Sequence, residues 1–287
     1  MIESAGPAVK AVSWDEDLRS QAAEGYRIAS RLCTCSYPYH AIWGILRAAN
    51  VTGSLRFEED ALGPVLKRLV KDNAQVLVAG SADTGTPSFV GRFSEARDIV
   101  ITVADRCPAP LHQIEEARRT RNLPFRTLHS DLLEIDVEGA FDVVLINYTL
   151  NYIAPEARPE VFRRLARALK PGGTLICAAI TRVGEVAADG KTREVWVENA
   201  FRKIKSAGLD LPLTDNELLV LLELGGESRV LRRQLRPTLQ EIKDCMLGAG
   251  LVLDDENRTS REREMKADGM RAVELEPSVV LSGHRPR

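Results

Sequence analysis

Apolar positions along the chain recur at two periods, and the change from one to the other divides it. Over residues 1–73 the spacing is helical. Leu18, Ala22, Tyr26 and Ala29 follow Ser13-Trp14-Asp15-Glu16, a hydroxyl and a carboxylate three residues apart as in a capping box. A Tyr37-Pro38-Tyr39-His40 turn precedes Ile42, Trp43, Leu46 and Ala49. Leu62, Val65, Leu66, Leu69 and Val70 then form the stripe of a helix with one buried face. From Gln75 the pattern changes. β-Branched runs at 75–79, 99–104, 125–129, 141–146 and 174–179 predict strands, with helices near 87–95, 109–121 and 157–169 between them. That alternation predicts right-handed βαβ units and a parallel sheet. Segments 251–254 and 273–283 predict a last pair of strands joined by a charged loop. The expected fold is therefore α/β: a doubly wound, mostly parallel seven-stranded sheet with an antiparallel edge strand.

Two regions stand outside this rhythm. Residues 1–73 read as an N-terminal helical lead-in or cap. Residues 182–237 read as a helical insertion in the domain at 74–287, with helices around 192–206, 215–224 and 228–236 ahead of one at 238–248. So long a connection in a compact domain is usually functional. It leaves the carboxyl end of a parallel strand, where open α/β sheets bind ligands, so it is read as a lid.

Composition narrows the function. Lys+Arg 39 against Asp+Glu 41 gives a net charge of −2, without the basic excess of a dedicated nucleic-acid binder. No apolar run approaches the ~20 residues of a bilayer span, and residues 1–17 lack the apolar core of a secretory signal. Five cysteines in 287 residues make no disulfide framework and suit a reducing, cytoplasmic setting. Cys33-Thr34-Cys35 has no second Cys/His pair at zinc spacing. It is read as two small residues near a helix end, and no metal is expected.

The first strand runs into Gly80-Ser81-Ala82-Asp83-Thr84-Gly85, with Thr86 a plausible helix cap and Pro87 suited to the first helical position. A tight small-residue loop feeding a helix N-terminus lets backbone approach a ligand closely. Asp105 closes the second strand, where a carboxylate can accept from both hydroxyls of a ribose. Gly80-x-Ala82-x-x-Gly85 is also a variant of the dinucleotide fingerprint, so a nicotinamide oxidoreductase stays open on the loop alone.

Later segments separate the alternatives. Phe141-Asp142-Val143-Val144 is followed by Leu169-Lys170-Pro171-Gly172-Gly173-Thr174-Leu175. In these motifs the chain resembles the class I S-adenosylmethionine-dependent methyltransferases, whose fourth strand reads F-D-x-V and whose fifth is introduced by L-x-P-G-G-x-L. The resemblance covers roughly 74–180 and, in outline, 238–285, and implies a Rossmann-like domain. It implies that Gly80, Ser81, Ala82 and Gly85 line the methionine and ribose of S-adenosylmethionine, and that Asp105 holds the ribose hydroxyls. It also implies that Asp131 accepts from the adenine amino group beside the Leu132 N–H, and that Asn147 and Tyr148 face the reaction centre. The chain departs from the family at Val78, where an acidic residue is usual, and in a glycine loop one residue longer. Asp83 is the substitute carboxylate for the methionine ammonium.

A sulfonium methyl is already electrophilic, so the protein mainly positions a nucleophile in line and excludes water. A base is needed only for a protonated nucleophile, and His129, Tyr148 and His40 are the candidates. Asn147-Tyr148-Thr149-Leu150 is not the Asn/Asp-Pro-Pro-aromatic signature of enzymes that methylate planar amino groups. Nucleic-acid and release-factor substrates are thereby disfavoured. The expected activity is methyl transfer to a small metabolite, such as one of secondary metabolism, releasing S-adenosylhomocysteine. It needs no membrane and no nucleic acid, and is compatible with a homodimer. The alternative within the fold is a protein that uses or binds the cofactor without methyl transfer.

Overall fold

A computed structural model describes residues 14–35, 39–51, 59–121, 123–182, 190–267 and 270–287. Ser13, Tyr37 and Pro38, and with them the expected first cap and part of the expected turn, lie outside these. The strands are β1 Gln75–Ala79, β2 Val100–Asp105, β3 Phe125–His129, β4 Phe141–Asn147, β5 Leu169–Ile180, β6 Val252–Ala267 and β7 Met270–His284. The helices are α1 Trp14–Leu32, α2 Tyr39–Ala48, α3 Gly63–Leu69, α4 Gly85–Phe93, α5 Pro108–Arg121, α6 Arg158–Ala168, α7 Gly190–Ala207, α8 Asp215–Gln234 and α9 Leu239–Gly248, with a short 3₁₀ turn Thr149–Tyr152 after β4.

One seven-stranded sheet runs in the order β3-β2-β1-β4-β5-β7-β6. β1 to β5 are parallel to their neighbours, whereas β7 runs antiparallel to both β5 and β6. The order reverses between β1 and β4, and ligands of open α/β sheets bind at such a switch point, outside the carboxyl ends of the strands. Gly80 and Asn147 flank it.

The sheet is buried on both faces because alternate side chains feed two separate cores. Leu77, Val144 and Ile146 join Phe162 and Leu165 of α6 and Met246 of α9. Val76, Val78, Val143 and Leu145 join Leu66 of α3, Phe89 of α4 and Ile114 of α5. Strands covered on both faces read as continuous apolar runs, and that is how they stand in the sequence.

The Phe-Asp and Lys-Pro-Gly-Gly motifs meet physically. Asp142 accepts from the Gln75 N–H at 2.8 Å and from Lys170 Nζ at 2.8 Å, so one carboxylate ties β1, β4 and the entry to β5. Gly172 takes φ +79°, and a Cβ on Gly173 would lie 3.0–3.1 Å from three backbone oxygens. No side chain fits that corner.

Three expectations are corrected. α4 begins at Gly85, two residues before Pro87, with Thr84 in the capping position and no side-chain cap bond. The two expected helices at 215–224 and 228–236 are one, α8, which Thr214 and Glu217 start with a reciprocal capping box. It continues through Gly225-Gly226, each costing about 1 kcal/mol relative to alanine. A Cβ on Gly226 would come within 3.0 Å of Arg193 on α7, and one on Gly225 within 3.5 Å of Ile42 on α2. Close packing against α7 thus favours glycine at 226, while at 225 a Cβ would make only ordinary contact with α2. Finally, the charged loop expected between the last strands is a ribbon: the β6–β7 ladder runs from Val252↔His284 to Ala267↔Met270, placing Arg261 opposite Glu276 and Arg263 opposite Glu274 in register.

The lead-in and the insertion share one core. Ile42, Ile45, Leu46 and Ala49 of α2 and its end pack with Trp196, Ala200 and Ile204 of α7 and Leu218 and Leu222 of α8. Among the described residues, no helix is long and apolar enough to cross a membrane.

Candidate functional site

The site forms where β1, β2, β3 and β4 end. Gly80 leaves β1 at φ +83°, a left-handed conformation that glycine alone adopts freely. A Cβ there would meet the Thr149 side chain at 2.7 Å. Thr149 Oγ1 in turn donates to the Ala79 carbonyl at 3.1 Å, so the turn after β4 braces the loop after β1. Ser81 Oγ donates to the Asp83 carbonyl, and Asp83 Oδ1 accepts the Gly85 N–H, both at 2.7 Å.

Asp83 also pairs with Arg47 of α2, at 2.7 Å and with side chains 10% and 5% exposed. Its carboxylate is therefore already neutralised, which counts against the expected substitution for a methionine-binding acid. Arg47 lies so close to Gly85 that a Cβ there would overlap its guanidinium. α1 reaches the same loop through Thr84 Oγ1, which donates to Gln21 Oε1 at 2.5 Å. Sequence reasoning missed Arg47. The signal was a lone cation in the last turn of an apolar helix.

Asp105 ends β2 and accepts the Cys107 N–H at 2.8 Å and the Ser81 N–H at 3.2 Å, one on each oxygen. Burial pushes its carboxyl above the ordinary carboxylate range, opposed by those hydrogen bonds and by the nearby His40 charge. Each carboxylate oxygen has two acceptor sites, so Asp105 retains capacity toward a diol. Asp131, after β3, accepts the Leu133 N–H on Oδ1 at 2.9 Å, while Oδ2 lies 3.9 Å from an Arg106 nitrogen. Leu132 is buried beside it. Two carboxylates at the ends of neighbouring strands, each with accepting capacity to spare, suit the hydroxyls and amino group of an adenosine.

Asn147 closes β4. Tyr148 follows in the left-handed region, φ 54°, its N–H donating to the Ala178 carbonyl of β5 at 2.8 Å. The two histidines go elsewhere. His129 is exposed at the end of β3 with Nε2 3.0 Å from the Arg106 carbonyl. β2 and β1 separate it from β4, about 14 Å at the usual strand spacing, so it forms no catalytic pair with Tyr148. His40 is not in the expected turn. It is buried in the first turn of α2, with Nδ1 3.4 Å from Cys33 Sγ and 3.5 Å from Cys35 Sγ.

Over the β4 edge lies a recess lined by Tyr39, Ile42, Trp43 and Leu46 of α2 and Gly225, Ser228 and Arg232 of α8. Arg232 lies 4.9 Å from the ring centroids of both Tyr39 and Tyr152, which are 4.9 Å from each other, and donates to the Tyr152 hydroxyl. Burial pushes the Tyr39 phenol well above its ordinary value. The recess is thus apolar with a cation and two aromatic rings at one end.

Residues 83–173 match the family profile of a methyltransferase domain. That match begins inside the glycine loop, at Asp83, and takes in Asp105, Asp131 and the corner at the start of β5. Over those residues the chain is similar to methyltransferase domains. That match and the curated relatives support S-adenosylmethionine as the cofactor, ahead of the nicotinamide alternative for the Gly80–Gly85 loop. Curated relatives include the carboxy-S-adenosyl-L-methionine synthase of Pseudomonas aeruginosa, 33% identical over 147 residues, 51% of this chain and 53% of that enzyme. The enzyme of the same name from Photorhabdus laumondii is 28% identical over 120 residues, 40% of this chain and 46% of that one. The chain spans about half the length of these relatives. Two solved structures share the methyltransferase fold: a candidate methyltransferase from Bacillus halodurans at TM-score 0.54, 10% identical over 79% of this chain and 99% of that one, and the YcgJ protein of Bacillus subtilis at 0.53, 11% identical over 80% and 99%.

Proposed function

We propose that this protein transfers the methyl group of S-adenosylmethionine to a small metabolite held under its helical cap. The observation that carries this reading is the meeting of α2 and α8 over the end of β4, where Tyr39, Tyr152 and Arg232 close one end of an apolar recess. Within the proposed division into 1–73 and a domain at 74–287 with the insertion 182–237, α2 and the insertion form the cap, while α3 packs against the sheet. The core shared by α2, α7 and α8 supports that grouping.

In this proposal Gly80, Ser81, Ala82 and Gly85 lie against the methionine and ribose, Asp105 accepts from the ribose hydroxyls, and Asp131 with Leu132 takes the adenine. Asn147 and Tyr148 stand beside the transferred carbon. The cofactor supplies an electrophilic methyl on a cationic sulfur. The chain's share is to hold the acceptor in line and keep water out. His129, at the far side of the Asp105 strand, belongs to the adenine end. Of the three candidates Tyr148 alone remains placed to move a proton, and a nucleophile that arrives unprotonated needs none.

A second reading is favoured by the names of the curated relatives: synthesis of a carboxylated S-adenosylmethionine. One experiment separates the two. The protein is titrated with S-adenosylmethionine and S-adenosylhomocysteine by calorimetry, then incubated with S-adenosylmethionine and a panel of small metabolites, carboxylic acids included, and the products are read by mass spectrometry. S-adenosylhomocysteine with a methylated metabolite supports methyl transfer. A carboxylated cofactor with no S-adenosylhomocysteine supports the second reading, and failure to bind either nucleoside removes both.

A further inference from the structure

Cys33 and Cys35 at the end of α1, His40 at the start of α2 and Cys107 in the turn after β2 converge at one point. One sulfur or ring-nitrogen atom from each lies within 4.8 Å of the other three. All three cysteines are unpaired thiols, with Cys107 and His40 buried and Cys33 and Cys35 half-buried. The donor set is three soft sulfurs and one imidazole.

The spacing between these atoms can be set against a tetrahedron. With zinc–sulfur bonds of about 2.3 Å and zinc–nitrogen bonds of about 2.05 Å, tetrahedral angles put sulfur and nitrogen about 3.6 Å apart and two sulfurs about 3.8 Å apart. Both measured edges come close: His40 Nδ1 is 3.4 Å from Cys33 Sγ and 3.5 Å from Cys35 Sγ. The same ring nitrogen faces both thiols, as one ligand corner would. The surrounding wall is Ala29, Ala41 and Ala109, with Tyr26 packed against it.

We propose that Cys33, Cys35, His40 and Cys107 bind one zinc ion, as thiolates and neutral imidazole, with the thiol protons released to solvent. Four protein ligands leave no open position, so the ion is structural. It staples the α1–α2 corner of the cap to the sheet at the turn that carries Asp105, because the Cys107 N–H donates to the Asp105 carboxylate. The sequence hides this site because its fourth ligand lies far along the chain from the Cys-x-Cys pair.

Metal analysis of the full chain, produced with zinc supplied and purified without chelator, tests the proposal. About one zinc per chain is expected. Replacing it with cobalt(II) gives visible ligand-field bands of tetrahedral intensity and near-ultraviolet thiolate charge-transfer bands. Cys107→Ser loses at least tenfold in zinc affinity, measured by competition with a chromogenic chelator, while Cys245→Ser keeps the full metal content. Should Cys107→Ser fail to fold, His40→Cys is decisive: it retains the metal and intensifies the charge-transfer bands by adding a fourth thiolate. The proposal is overturned if the soluble chain takes up neither zinc nor cobalt, if metal persists unchanged in Cys107→Ser, or if peptide mapping finds two of these cysteines joined in a disulfide.

Discussion

The sheet and the cap of this protein are assembled by opposite means. β1 to β5 follow one another along one stretch of chain, with a helix after each of β1, β2 and β4, so each strand finds its neighbours within that stretch. Both faces fill from one alternating pattern, Leu77 to one core and Val78 to the other. The cap joins residues from the two ends of the chain's helical segments, Ile42 beside Trp196 and Leu222. It reaches the sheet domain through the buried Arg47–Asp83 pair and the Thr84–Gln21 hydrogen bond. The difference teaches that the sheet is self-sufficient and the cap is conditional on it.

The sharpest test of that asymmetry uses the three tryptophans, Trp14, Trp43 and Trp196, all of which stand in α1, α2 and α7 and outside the sheet. Their fluorescence reports the cap, and far-ultraviolet circular dichroism reports the whole. Phe162→Ala removes a fully buried ring from beneath the sheet and is expected to cost about 3–5 kcal/mol. Both signals shift to lower denaturant, since the cap has nothing to rest on. Leu222→Ala, fully buried in the cap, shifts the fluorescence transition and leaves the main dichroism transition in place. Coincident transitions in both variants mean that cap and sheet are one cooperative unit.

Next in size is the tie between the two. Arg47→Ala leaves the Asp83 carboxylate buried without its partner, and breaking such a pair typically costs about 3 kcal/mol or more. Arg47→Ala combined with Asp83→Asn recovers much of that loss, because no lone charge remains. A double variant no more stable than the single one would show that the pair acts through packing and not through charge, with thermal unfolding as the measurement.

How far the sequence disclosed this architecture follows the same division. Every strand from β1 to β5 is visible as a β-branched run, and the motifs at Asp142 and Lys170 are visible because one carboxylate must hold three chain segments at a corner where only glycine fits. The positions Gly80, Asp105, Asp131 and Asn147 at the carboxyl edge were legible too, since each follows directly from the strand before it. What stayed hidden depends on contacts between distant segments. Arg47 had no visible reason to be buried, the meeting of His40 with Cys107 joins segments far apart in the chain, and α8 read as two helices because Gly226 answers to α7. The β6–β7 ribbon read as a loop because its charges obscure a strand pattern that only the opposite strand makes sense of.

On the sheet side, the cofactor gives a smaller, local effect. Asp105→Ala is expected to weaken S-adenosylhomocysteine binding by about 1.5–3 kcal/mol, the scale of hydrogen bonds to a charged group. Calorimetry reads it, with circular dichroism to show the variant folded. Unchanged affinity in a folded variant would confine Asp105 to its bonds with the Ser81 and Cys107 N–H groups.

On the cap side, the smallest effect is the most selective. Arg232 lies against Tyr39 and Tyr152 at the recess. Arg232→Gln removes the cation and keeps a polar side chain of similar reach. Cation–aromatic contacts are worth about 0.5–2 kcal/mol, so kcat/KM for the acceptor should fall roughly 2- to 30-fold. S-adenosylhomocysteine affinity should stay within error of the parent. That split is what a cap dedicated to the acceptor produces, because the two ligands then lean on different parts of the molecule. Equal losses for both ligands would mean that α8 supports the cofactor end as well, and the division between a cofactor-holding sheet and an acceptor-holding cap would fail at the place where it is drawn most finely.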